Sequence, residues 1–202
     1  MIVAITAKQF EELQKRVSGG ARKPVPTVPA SVPRTTFETV IGIDPSLRGT
    51  GYGIIRLTKA APVLVALGTI ACPSGWERSR CLGHIAQTIR AVLKQHQPQA
   101  CVVEGLFYAQ NLQTALIMGE ARGAALAAIA ETGVPIHEIA ARKVKQAIVG
   151  YGAAQKAAVA RMVQRMLQLP QPPEPDAADA LALALAFAHE TRRPWLSAPK
   201  KI

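Results

Sequence analysis

Apolar residues recur along this chain in two rhythms. Short unbroken runs bounded by turn residues predict strands at Val40 to Asp44, Tyr52 to Thr58, Val63 to Cys72, Ala100 to Glu104 and Val134 to Glu138. Between and after them the spacing changes to that of helices. Leu82, Ile85, Ile89, Val92 and Leu93 mark one over Glu77 to Gln95, and a long small-residue stretch predicts a second over Gln110 to Glu131. Two further helices are expected over Ala141 to Val149 and Ala153 to Leu167. After the break Pro170-Gln-Pro-Pro-Glu-Pro175, a last, Ala/Leu-rich helix is expected over Asp176 to His189. Gly49-Thr-Gly-Tyr-Gly53 reads as the hairpin turn between the first two strands. Three early strands followed by alternating helices and strands predict an α/β fold, a mixed five-stranded sheet with helices on both faces.

The chain before this pattern reads differently. Residues 1 to about 17 suit a short helix with Thr6 as N-cap and Phe10, Leu13 and Val17 on one face. Residues 18–34 hold Pro24, Pro26, Pro29 and Pro33, which favour an extended, semi-rigid linker. The expected organisation is therefore an extension and linker over 1–36, a catalytic domain over 37–191 and a short basic tail over 192–202.

Composition narrows the class. A 202-residue chain with 49% hydrophobic residues and a mean hydropathy of +0.15 can bury a sizeable core. Its 24 Lys and Arg against 13 acids give a net charge of +11, which predicts a polyanionic partner. The sequence has no stretch of transmembrane length, and its N-terminus lacks the basic start, apolar centre and small-residue cleavage site of a secretory signal. Cys72, Cys81 and Cys101 are odd in number, lie in or beside apolar segments and lack metal spacing, as expected of buried, reduced thiols in a cytoplasmic protein.

In a chain so poor in acids, four of them fall where a carboxylate is hard to accommodate. Asp44 and Glu104 end apolar strands, and Asp176 and Asp179 open the apolar last helix. A carboxylate withdrawn from water is costly unless paired or bound to a metal. Asp44 before Pro45 alone would be an ordinary turn residue, and Asp176 alone an ordinary N-cap. Glu104 between Val103 and Gly105 resists such a reading, and the four together point to a cation site. Acids at the ends of separate strands project into one crevice, and residues three apart on a helix share a face. Four oxygen donors without His or Cys suit Mg²⁺ or Mn²⁺ rather than zinc. Two such ions about 4 Å apart serve phosphodiester hydrolysis.

The segment Ile41-Gly-Ile-Asp44-Pro-Ser-Leu-Arg-Gly-Thr-Gly-Tyr-Gly53 resembles the first strand and hairpin of RuvC-type Holliday-junction resolvases. Val103-Glu-Gly-Leu-Phe107, Gly119-Glu-Ala-Arg-Gly123, Ala140-Ala-Arg-Lys-Val-Lys-Gln-Ala-Ile-Val-Gly150 and Asp176-Ala-Ala-Asp-Ala-Leu181 resemble later blocks of that family, in the family's order, over about residues 39 to 190. The resemblance implies an RNase H-like fold and a homodimer that binds a four-way DNA junction. It also implies Mg²⁺-dependent, symmetric nicking in recombination and repair, leaving 5′-phosphate and 3′-hydroxyl ends, and partnership with a branch-migration motor. Asp44, Glu104, Asp176 and Asp179 fall on the family's catalytic, metal-binding carboxylates. Phe107 falls on its aromatic residue near the junction centre, and Lys145 and Lys156 on basic residues close to the DNA backbone. Arg142, Lys143 and Arg122 complete the expected DNA contacts. The first 36 residues lie outside the family's usual start, Ser46-Leu47 replaces a small glycine turn, and the tail is shorter than in some members.

Arg142, Lys143, Lys145, Lys156, Arg161 and Arg165 lie in a stretch without an acid. Alone it would be a solvated helix face; beside the acid cluster it reads as salt-dependent phosphate contacts. The long helix is expected to pack through Ala115, Met118, Ala121 and Ala125 either against a second copy or against the sheet. His84, His96, His137 and His189 lack metal spacing and read as ordinary. Two rival functions share the fold: a catalytically silent junction binder, which has no use for four acids facing phosphates, and a nuclease acting on RNA or RNA–DNA hybrids.

Overall fold

A computed structural model describes residues Phe37–Gly105, Asn111–Arg192 and Pro199–Ile202, together with Lys8 and Glu11. The chain divides into one unit over residues 1–36 and a second over Phe37–Ile202. The expected N-terminal helix and linker lie outside the described residues, apart from Lys8 and Glu11.

The second unit runs β1 (Thr39–Asp44), β2 (Gly49–Arg56), β3 (Val63–Ala71), α1 (Arg78–His96), β4 (Ala100–Glu104), α2 (Leu112–Ala130), β5 (Ile136–Ile139), α3 (Ala141–Val149), α4 (Lys156–Met166), α5 (Pro175–Arg192) and β6 (Lys200–Lys201). The sheet order is β3-β2-β1-β4-β5-β6. β1 lies antiparallel to β2 and parallel to β4, and β4 is parallel to β5. The sheet has six strands, not five. The sixth comes from the segment expected to be only a tail: Lys200 and Lys201 pair antiparallel with Glu138 and His137. Two residues carry no periodic signal, but β5 would otherwise present unpaired backbone groups at an edge.

The period of two sorts the core onto the sheet's faces. Ile41, Ile43, Cys101 and Val103 pack with Ile85, Ile89, Ala121 and Ala125 of α1 and α2. Val40, Ile55, Ala100 and Val102 pack with Val144, Ile148, Val159 and Val163 of α3 and α4, and with α5. The three cysteines are buried free thiols, as expected. No helix among the described residues is long and apolar enough to cross a membrane.

The middle of α5 is apolar on nearly every side because it is buried, Ala177, Ala178 and Ala180 to Ala188 being almost wholly covered. Its seat is made by glycines. A Cβ on Gly42 would strike the Ala180 carbonyl, one on Gly51 the Asp176 carbonyl, one on Gly49 the Asp176 carboxylate, and one on Gly53 the Leu181 side chain. The reading of Gly49, Gly51 and Gly53 as turn residues is thus corrected: they lie within β2, beneath the helix. The turn itself is residues 45–48, closed by Thr50, whose hydroxyl donates to the Ser46 carbonyl at 2.6 Å and accepts from the Ser46 N–H at 3.2 Å.

Candidate active site

Three elements bring the acids together. Asp44 and Glu104 stand at the ends of adjacent parallel strands, where Ile43 pairs with Val103, so both carboxyls emerge at the same edge. The glycine seat then lowers the first turns of α5 onto that edge and adds Asp176 and Asp179.

The electrostatics follow from this crowding. Burial, then Glu104 and Asp179, and more weakly Asp176, push the Asp44 carboxyl up to about 7 against the pull of Lys156. Glu104 is raised for the same reasons, burial first and Asp179 second, while Lys156, Lys145 and Arg122 oppose the rise. Like charges held close disfavour ionisation, and a cation among them reverses that. Lys156, the first residue of α4, places its ammonium 2.5 Å from Asp179 Oδ2, which raises the lysine above its ordinary value.

Of the residues expected at the site, all but Phe107 can be placed. Asp44, Glu104, Asp176 and Asp179 share one electrostatic cluster, and Lys145 and Lys156 face it. Arg142 and Lys143 are exposed on α3. Phe107, with Tyr108, lies outside the described residues. Arg122 is displaced from the expected list of DNA contacts: it is only 7% exposed. Its guanidinium donates through Nη1 to the Glu104 carbonyl and through Nη2 to Glu138 Oε2 at 2.6 Å. A covered arginine with two acceptors inside the protein is a support rather than a phosphate contact. On α2, Ala121 and Ala125 are buried against the sheet side and so unavailable to a second copy.

Glu138 was missed by the reading of the sequence. It sits on β5 opposite Val103, and a Cβ on its neighbour across the sheet, Gly105, would meet its Cγ and Oε1 at 3.3 Å. An acid between His137 and Ile139 in a short interior strand was the available signal.

Among the described residues no three acid, His or Cys side chains yet stand in ligating geometry for one ion. The donor set nonetheless fits a divalent cation. All four are carboxylates, the chemistry of hard ions, and their mutual repulsion is what such a cation relieves.

Comparison with known proteins points the same way. The sequence model of the family described as crossover junction endodeoxyribonuclease RuvC matches residues 40–189. The crossover junction endodeoxyribonuclease RuvC of Coxiella burnetii is 45% identical over 153 residues, covering 76% of this chain and 88% of that protein. Its counterpart from Citrifermentans bemidjiense is 42% identical over 150 residues, covering 74% and 92%. Among solved structures, T. thermophilus RuvC in complex with a Holliday junction substrate matches with a TM-score of 0.75 and 33% identity. That alignment covers 82% of this chain and 99% of the other.

Proposed function

The chain belongs to the RuvC family of crossover junction endodeoxyribonucleases, and from that premise we propose that its four clustered carboxylates drive symmetric phosphodiester cleavage of four-way DNA junctions. The observation that carries this reading is the crowding of Asp44, Glu104 and Asp179 into one part-buried cluster faced by Lys156 and Lys145. Phosphates approach along the lysines, and the acids define where the bond breaks.

Asp44, Glu104, Asp176 and Asp179 would hold the divalent cation, which we take to be Mg²⁺, with Mn²⁺ substituting and two ions per site. Bound there, such ions activate water and neutralise the leaving oxygen. Lys156 donates to Asp179 Oδ2 and holds that carboxylate aligned before the substrate arrives. Lys145 lies where its charge is felt at Glu104, and serves a phosphate on the same strand. Hydrolysis with the 3′ oxygen as leaving group leaves 5′-phosphate and 3′-hydroxyl ends. Phe107, three residues beyond Glu104, is the proposed stacking residue at the crossover.

The working form is proposed to be a homodimer, because a two-fold enzyme matches two opposed cuts. The outward face of α2 supports this: Leu112 is 75% and Leu116 59% exposed, and the space around Gly119 and Gly123 is open. A branch-migration motor is the further partner, bringing successive core sequences to the site. The setting is proposed to be cytoplasmic, in keeping with three buried thiols.

The test is cleavage of a synthetic four-way junction with a short mobile core, with Mg²⁺ or EDTA, beside a linear duplex and an RNA–DNA hybrid. Paired, Mg²⁺-dependent nicks in opposing strands of the junction alone are expected. Tight binding without a nick across several core sequences would leave only the silent binder. Equal cutting of the hybrid would indicate a different nuclease.

A further inference from the structure

Glu104 ends β4, and a strand that ends at a reactive carboxylate must be held there by something other than its own continuation. On one side the backbone is secured in the ordinary way, since the Gly105 N–H donates to the Ile139 carbonyl at 2.9 Å. On the other side the Glu104 carbonyl accepts from Arg122, which reaches up from the third turn of α2. The guanidinium's second arm is taken by Glu138 on β5, at 2.6 Å. One planar fork therefore ties α2, β4 and β5 together directly beneath a metal-binding side chain. Only arginine presents two rigid donors at that span; a lysine ammonium has one point of charge.

Glu138 has a second effect. A lone buried guanidinium whose charge reaches Glu104 would be a competitor for that carboxylate. With Glu138 as its counter-ion, Arg122 keeps its charge turned toward β5, and the catalytic acids are left for the metal. The close fit of Gly105 against Glu138 leaves the carboxylate room to sit there.

We propose that Arg122 and Glu138 form a positioning pair that fixes the backbone of Glu104 and keeps the metal-binding carboxylates free of a competing cation. Neither residue touches DNA. The inference rests on the nuclease reading of the site and goes beyond it by assigning two residues that the carboxylate motif does not contain.

The experiment compares Arg122→Lys, Glu138→Ala and Glu138→Gln with the wild-type chain. Four readouts are taken: Mn²⁺ binding to the DNA-free protein by electron paramagnetic resonance, junction affinity and its salt dependence in EDTA, kcat and KM for junction cleavage, and thermal unfolding. Outer-shell partners of metal ligands typically matter 10–100-fold, so Arg122→Lys and Glu138→Ala should weaken Mn²⁺ binding and lower kcat by about tenfold or more. Junction affinity, KM and salt slope should stay within about twofold, since no phosphate contact is lost. Glu138→Gln, which keeps an acceptor for Nη2 but not the counter-charge, should recover only part of the loss, and it carries the test if Arg122→Lys does not fold. A shallower salt slope in Arg122→Lys would overturn the proposal by making Arg122 a DNA contact. Unchanged Mn²⁺ binding and kcat with only a lowered melting point would overturn it by making the pair merely structural. A wild-type chain that binds no Mn²⁺ and nicks no junction would instead refute the nuclease reading itself.

Discussion

Asp44→Asn separates what the active site does for catalysis from what it costs the fold. The folded protein holds the Asp44 carboxyl at about 7, up from 3.8, because burial and the Glu104 and Asp179 charges disfavour its ionised form. A shift that large corresponds to about 4 kcal/mol against the ionised state in the metal-free protein. The asparagine amide must itself be housed in a part-buried position, so about 2 kcal/mol of that should be recovered on substitution. For a domain of this size, about 2 kcal/mol raises the melting temperature by about 4–8 °C. The sign follows from proton binding. Between 3.8 and about 7 the native carboxyl holds its proton more firmly than the unfolded one. Wild-type stability from this group is therefore greatest below 3.8, falls as pH rises toward about 7, and is level above. Circular-dichroism melts in EDTA should show the variant well above wild type at pH 8 and close to it at pH 4. Added Mg²⁺ should raise the wild type and leave the variant unmoved, and the variant should still bind a junction without cutting it. A variant no more stable than wild type at pH 8, or a gap indifferent to pH, would refute the account of the charge cluster.

Gly51→Ala drives a methyl group into the Asp176 carbonyl, and forcing α5 off its seat should cost about 1–3 kcal/mol in urea unfolding. It should reduce junction cleavage by more than the fraction unfolded explains, because Asp176 and Asp179 move with the helix. Lys145→Ala should weaken junction binding and lower the slope of log affinity against log salt by about one, read from fluorescence anisotropy at several salt concentrations. Leu116→Asp on the exposed face of α2 should shift the protein from dimer to monomer in sedimentation, and should uncouple the two nicks while leaving the melting temperature nearly unchanged.

The strand ends carrying Asp44 and Glu104 were legible because an apolar run stopping at an acid is unusual in any sequence. α5 was legible too, from its capping acids and its unbroken apolar length. The path by which these elements meet was not. A glycine in a tight turn and a glycine beneath a helix look alike along the chain; only the helix on the other side of β2 distinguishes them. Arg122 was misplaced for a different reason. Its charge suggested a surface, yet Met118, Ala121, Arg122, Ala125 and Ile129 recur at helical spacing, and four of those five are buried. Periodicity was the better guide there than residue type. Glu138 escaped notice because its purpose lies in its partner, a relation between β5 and α2 that no local pattern encodes.

Charge in this domain is handled in two opposite ways within a few residues of Glu104. Arg122 and Glu138 are mutually satisfied at 2.6 Å, a paired and half-buried unit that stiffens the end of the sheet. The clustered acids face cations that are placed less firmly: Lys156 reaches Asp179 on a flexible and largely exposed arm, and Lys145 acts on Glu104 through its field. Burial first, and then the repulsion left over, lift Asp44 to about 7. A second fixed arginine among the acids would lower that carboxyl and stabilise the fold, but it would also occupy the charge that a divalent ion must neutralise. Fixed charges therefore lie beneath the site and movable ones over it, which holds the backbone of Glu104 still while leaving its carboxylate available.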